Sequence, residues 1–341
     1  PSLPVGNSSQ GIGLYPGEIM INFDANFQNI LWSHDELPYE PFVHEGILNT
    51  FMFNPKITLG ITDYINVTLS QQIGIREMIW QRDETSIHHR SESTLTDYIK
   101  PNGQKQAQGG ILGDTKILIK YLQKDVGLKE GFRIYHGVGL IVPSKATLLS
   151  DPFTSPPNED DFDEWNSGDY HHRHFSLSNG VYKTSLETQI FYKRNKNPMF
   201  MGSVFSLDIP IETNDHGYKP GLTYSSVSTL VIGRHSYDET KFNLLPGGCL
   251  LGLSFIGFNQ STWDGNPTPN SESKLLVPSI GGIWPMSSGV VSISIRKPIF
   301  IEGESIMAGN NVDKDALNNK TDAFEFSLGY RRNLGYLIPW L

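Results

Sequence analysis

Cysteine is almost missing from this chain of 341 residues: Cys249 stands alone. An intrachain disulfide is therefore excluded, as is any zinc site built on a cluster of thiolates. Long apolar runs are missing too. Mean hydropathy is −0.30, and no stretch approaches the ~20 consecutive apolar residues of a membrane-spanning helix. That lack excludes helical spanning but not spanning by strands, whose alternation keeps average hydropathy low. Basic residues are outnumbered, 27 against 36 acidic, for a formal net charge of −9. A nucleic-acid partner wants a basic face, and this chain does not offer one. An apolar period of 3.6 residues is almost absent as well, which argues against a helical protein.

What is present is period two. In "EIMINFDANFQNILW" Ile19, Ile21, Phe23, Ala25, Phe27 and Leu31 share one face, and Asn22, Asp24, Asn26 and Gln28 share the other. The pattern returns in "ILNTFMFNPKITLGI" and in "INVTLSQQIGIRE", and again in "GILGDTKILIKYLQ" and "FRIYHGVGLIVPSKA". Further strands are expected near 175–192, 199–213, 222–233, 245–259, 274–285, 289–302 and 322–332. Connections alternate between short ones such as "TDY" and long ones such as "QRDETSIHHRSESTLTDYIKPNGQKQAQ" and "SDPFTSPPNEDDFDEWNSGDYHHRH". Short turns at one end and long loops at the other are the mark of a barrel with periplasmic and extracellular ends.

A soluble sandwich or barrel would alternate as well. The best strands here, however, exceed the roughly 5–6 residues usual in globular sheets and match the ~9–11 that a tilted membrane strand needs. The polar face would not pack a dry core. It carries Asp24, Asn26, Gln28, Lys56, Gln72, Arg76, Asp114, Lys116 and Lys120, which suits a wet or ion-paired lumen. Trp32, Tyr64, Trp80, Trp284, Tyr336 and Trp340 fall at strand ends, where interfacial girdles form. The expectation is an all-β, antiparallel up-and-down transmembrane barrel of about twelve strands. It would span 18–341 behind a flexible segment 1–17, in the outer membrane of a Gram-negative bacterium, with a signal peptide already removed.

Several segments resemble an outer-membrane barrel transporter family typified by the phenol-degradation meta-pathway protein and similar to fatty-acid-transporter-type barrels. Gly113, Asp114, Lys120 and Tyr121 match its Gly-Asp…Lys-Tyr strand, and Pro143 and Ser144 the end of the strand that follows. Pro278 and Pro298 match its penultimate hairpin, and "FEFSLGYRRNLGY" its terminal strand. Such barrels commonly end the last strand on an aromatic residue, whereas this chain continues as "LIPWL", with Trp340 and Leu341 last. The resemblance implies passive or facilitated uptake of small, often hydrophobic solutes, and it supplies no catalytic residue.

Histidine and carboxylate crowd the long loops. His88, His89, His172 and His174 are the candidate ligands for a transition metal such as Zn²⁺ or Cu²⁺. Asp160, Asp161 and Asp163 offer oxygens for Ca²⁺, without the spacing of an EF-hand. The same residues also read as a solvated, anion-repelling rim, and no other cofactor is expected. Enzymatic readings lack support. His136 and Ser144 lie about 27 Å apart at roughly 3.4 Å per residue, and no Gly-x-Ser-x-Gly occurs. Two functions stay open. One is a channel or facilitator for small solutes. The other is a non-conducting barrel that binds an outer-membrane partner through its loops. The bilayer and a solute are partners of the first reading, and a surface protein of the second.

Overall fold

Period two is the geometry of a pleated strand, and the computed structural model closes it into a wall. The structure describes residues 13–36, 42–81, 90–100, 102–124, 130–152, 173–194, 199–234, 244–268, 271–302, 320–336 and 338. Twelve antiparallel strands form the ring. They are β1 (Glu18–His34), β2 (His44–Gly60), β3 (Ile65–Trp80), β4 (Leu112–Lys124), β5 (Gly131–Val142) and β6 (Lys183–Arg194). Then follow β7 (Met199–Pro210), β8 (Thr223–Gly233), β9 (Gly248–Phe258), β10 (Ser273–Met286), β11 (Gly289–Arg296) and β12 (Lys320–Tyr336). Each strand pairs with its neighbour in sequence, and β12 returns to β1 through a register that runs from Ser33–Lys320 to Glu18–Tyr336. Closure leaves no open edge, so the ladder satisfies the backbone polar groups, as a membrane interior requires.

The alternation decides which side chains meet lipid. Phe27 is 41 % exposed, and Phe51, Leu69, Ile117, Leu140 and Phe326 are exposed on the same outer surface. Asn22, Asp24, Asn26 and Gln28 on the opposite face are buried. Polar side chains on the outer face pair with one another: Asn29 Nδ2 donates to Asn49 Oδ1 at 2.8 Å across the β1–β2 pair, and His136 bridges Gln123 and Thr188. Two amides that satisfy one another cost far less in an apolar band than either alone.

Connections at one end are residues 61–64, 125–130, 195–198 and 287–288. Residues 234–247 at the same end form a longer connection and break the alternation of long and short. At the other end the long connections carry short strands of their own. Glu92–Ser93 extends the wall beside β3, Tyr98–Ile99 pairs with Lys105–Ala107, and Thr262–Trp263 joins Tyr218–Lys219 to Asn266–Pro267. Past Lys297 and Pro298, Ile299–Glu302 resumes the line of β11 against the start of β10.

Two expectations need correction. The sixth strand begins at Lys183, not near 175. The preceding residues turn into the barrel, because Phe175 and Leu177 find apolar partners there: Ile30 and Leu48 for the first, Met52 and Ala146 for the second. Trp32 does not belong to a lipid-facing girdle. It is buried, donates its indole N–H to Met78 Sδ at 3.2 Å and lies 6.0 Å from the Trp80 ring. Inside, the indole keeps both an apolar contact and a hydrogen-bond partner.

Candidate functional site

The interior of the barrel is built in three layers. At the short-turn end, Leu122, Tyr135, Phe191 and Val204 form a buried apolar floor, with Phe200 packed against it. The residues before β1 reach the same level. Leu14 is buried, and Gly13 lies so close to Tyr135 that a Cβ there would sit 3.1 Å from the phenol oxygen. Gly17, at φ 80°, makes the turn that lets its N–H donate to the Gly60 carbonyl at 2.9 Å.

Above the floor runs a polar belt. Lys56 Nζ lies 2.9 Å from Asp24 Oδ2. Arg296 Nη1 donates to Glu325 Oε1 at 2.6 Å, and Asn26 Nδ2 donates to the same oxygen at 3.0 Å. Ser327 Oγ donates to Asn26 Oδ1 at 2.8 Å. These groups sit on β1, β2, β11 and β12 and are nearly all buried; each charge faces an opposite charge, and Asn26 adds a hydrogen bond to Glu325. A buried ion pair tolerates its desolvation only with such support. Across the lumen the belt loosens. Lys116 Nζ lies 3.7 Å from Asp208 Oδ1, and both side chains are 26 % exposed. Ser185 Oγ donates to that same carboxylate oxygen at 2.6 Å.

The third layer is a roof at the long-loop end. Phe175 packs with Ile30, Leu48 and Ala323, and the Arg76 guanidinium lies 5.9 Å from the Phe175 ring centre. Arg76 also donates from Nε to Thr50 Oγ1 at 3.3 Å. The roof is tied down by Arg173, which is buried and donates from Nη1 to the carbonyls of Ser93 at 2.6 Å and Thr96 at 2.8 Å. Gln106 closes the knot, accepting from the Arg173 N–H and donating to its carbonyl. Burial lowers the pKa of Arg173 and pushes the neighbouring Glu92 carboxyl up to about 8, against the opposing pull of Arg173 and Arg90.

Of the residues expected to line the lumen, Asp24, Asn26, Gln28, Arg76 and Lys120 lie buried on the inner face. Lys56, Gln72, Asp114 and Lys116 lie half-buried on it. Gln72 sits where the β3–β4 register shifts, packed against Gly113, and Asp114 accepts from the Ser144 N–H at 3.4 Å. Arg296, Glu325, Asp208 and Phe175 were missing from that set. The first two carried a signal, since "VVSISIR" and "FEFSL" put Arg296 with Ser292 and Ser294, and Glu325 with Ser327. His88, His89, His172, Asp160, Asp161 and Asp163 lie outside the described residues, and His174 is half-buried beside Arg173. Among the described residues no three His, Cys, Asp or Glu side chains are grouped to hold a metal.

No protein-family model matches the chain, and no curated relative matches it. Its likeness is to solved barrels. An outer membrane channel from Pseudomonas putida F1 superposes with a TM-score of 0.55 at 10 % identity, covering 97 % of this chain and 100 % of that one. A deltaS2 mutant of the monoaromatic hydrocarbon channel TodX gives 0.43 at 10 % identity, over 94 % and 91 %. A Pseudomonas aeruginosa FadL homologue gives 0.37 at 7 % identity, over 93 % and 92 %. At such identities the first likeness shows a shared barrel fold.

Proposed function

We propose that this barrel is an outer-membrane facilitator for small solutes that tolerate apolar surroundings. The carrying observation is the asymmetry of its interior. The β12–β1–β2–β3 wall is sealed by buried polar groups, whereas Ser206, Asp208, Ser225, Val227 and Thr229 on β7 and β8 remain half-buried. A solute that crosses would follow the β7–β8 side, between an apolar floor and an apolar roof. The shared fold with an outer membrane channel supports this reading. Small hydrophobic molecules suit the two apolar layers better than ions do, because an ion would lose its hydration there.

One observation favours a second reading, a non-conducting barrel that serves a surface partner. The buried charges Asp24 and Lys56, and Arg296 and Glu325, pair with one another across the strands and leave no net charge for a solute ion to meet. Reconstitution separates the two. Liposomes carrying the folded barrel should take up a small neutral organic solute faster than empty ones, and Phe175→Ala with Leu177→Ala should speed uptake by thinning the roof. If neither protein passes any solute while both keep the heat-dependent gel mobility of a closed barrel, the binding reading takes its place.

A further inference from the structure

Near the short-turn mouth, two buried polar groups of opposite kind stand side by side. Asn66 on β3 and Lys120 on β4 are directly opposite in the register. They are 2 % and 3 % exposed, whereas Ile119 and Tyr121 on either side of Lys120 face lipid. Residues so paired hold their Cβ atoms about 4.5–5.5 Å apart. Asn66 Oδ1 is buried and receives no hydrogen bond. Among the described residues nothing accepts from the Lys120 ammonium, and no carboxylate lies at ion-pair distance from it.

The surrounding charges do not satisfy the lysine. Glu187 is the carboxylate whose charge it feels, one strand further on, with Gly137 between them in the register. Glu187 Oε1 already accepts from Gln189 Nε2 at 2.5 Å. Lys56, the other charge that Lys120 feels, is a cation held by Asp24. Two residues along, the pair Leu122 and Tyr135 begins the apolar floor. A buried ammonium without an acceptor and a buried amide oxygen without a donor each carry a desolvation cost. Together they call for a neutral group that accepts and donates and that continues into an apolar body.

We propose that Asn66 and Lys120 are the polar anchor for a solute bearing a primary carboxamide. Its carbonyl oxygen accepts from Lys120 Nζ, its N–H donates to Asn66 Oδ1, and its apolar body lies on Leu122 and Tyr135. A carboxamide carries acceptor and donor on separate atoms and so serves two neighbouring strands at once. A hydroxyl would have to do both through one oxygen. The inference rests on the facilitator reading and names the polar end of the solute.

Isothermal titration of the folded, full-length barrel in detergent with benzamide tests it. Binding should saturate at one site. N,N-dimethylbenzamide keeps the carbonyl and loses the N–H, and should bind about fivefold more weakly, the value of one neutral hydrogen bond. Lys120→Met should weaken both ligands by about tenfold, the value of a charged one. Asn66→Leu should bring benzamide down to the level of its dimethyl analogue and leave that analogue unchanged. Retained gel mobility in cold detergent would show that each variant is folded. Equal titration of the wild type and both variants overturns the proposal. Liposome uptake, read beside it, separates the two inferences. A wild type that passes solutes yet does not bind benzamide loses this site and keeps the facilitator reading. One that binds benzamide and passes nothing keeps the site and loses that reading.

Discussion

The two sides of the barrel interior are both polar and behave differently. On β1, β2 and β12, Asn22, Asp24, Asn26, Thr50, Glu325 and Ser327 are buried. On β7 and β8, Ser206, Asp208, Ser225 and Thr229 are only half so. The strands differ in reach: β1, β2 and β12 have 17 residues each, β7 has 12 and β8 has 11. The long wall carries amides and charged groups, several of which meet one another, whereas the short wall is mostly small hydroxyls, such as Ser206 and Ser225 paired at 2.7 Å, with Asp208 alone of this set reaching a cation, Lys116. Polarity alone therefore does not make a pore; side-chain size relative to the space does.

The comparison can be broken from either side. The largest effect is expected from Arg296→Met, which strands Glu325 in the sealed wall; breaking one partner of a buried pair costs about 3–5 kcal/mol. A fall in the temperature at which the barrel loses its cold-detergent mobility would measure it. On the outer surface, Phe23→Arg disrupts a ring stacked on Phe53 at 5.9 Å and should cost about 2–4 kcal/mol near mid-membrane, by the same assay. Ser225→Trp, on the loose wall, should leave stability alone and slow solute uptake; unchanged uptake would move the path elsewhere. Lys116→Met should cost no more than about 1 kcal/mol, since its pair is wide and part-exposed. An effect as large as that of Arg296→Met would erase the distinction between the walls.

The smallest effect concerns the roof. Glu92 has its pKa raised by burial, so the folded loop holds a proton that the unfolded loop releases. The native state then binds more protons between the ordinary carboxyl pKa and about 8, and loop stability falls as pH rises through that window. Proteolysis of the loops should quicken modestly between about pH 6 and about pH 9, and Glu92→Gln should flatten the dependence.

Much of this architecture is legible in sequence because one period fixes both the strand and its two faces. Phe23 outward and Asp24 inward follow from alternation alone. What alternation cannot carry is the identity of the partner. The stretch from Phe175 to Val181 has the spacing of a strand, yet it meets the lumen, and its contact with Arg76 joins residues far apart in the chain. Trp32 and Trp80 occupy strand ends, a position shared by lipid-facing girdles and by inward stacks. Only the register that sets His34 opposite His44, with their rings 4.5 Å apart and Trp80 5.6 Å from His44, separates the two. The belt is legible as a set of polar positions, but Arg296 and Glu325 become a pair only when the last strands meet.

The hydrogen bonds that join Asn26 to Glu325 and to Ser327 link residues 299 and 301 positions apart. They lie on the seam where the first strand meets the last. Such contacts have the greatest loop-closure entropy to overcome and form late. Until the final strand arrives, the growing sheet has two bare edges, and Arg296 and Asn26 lack the Glu325 carboxylate that they meet in the closed barrel. The seam therefore works as a completeness check, since a chain truncated before its last strand can neither close its hydrogen-bond ladder nor bury those charges.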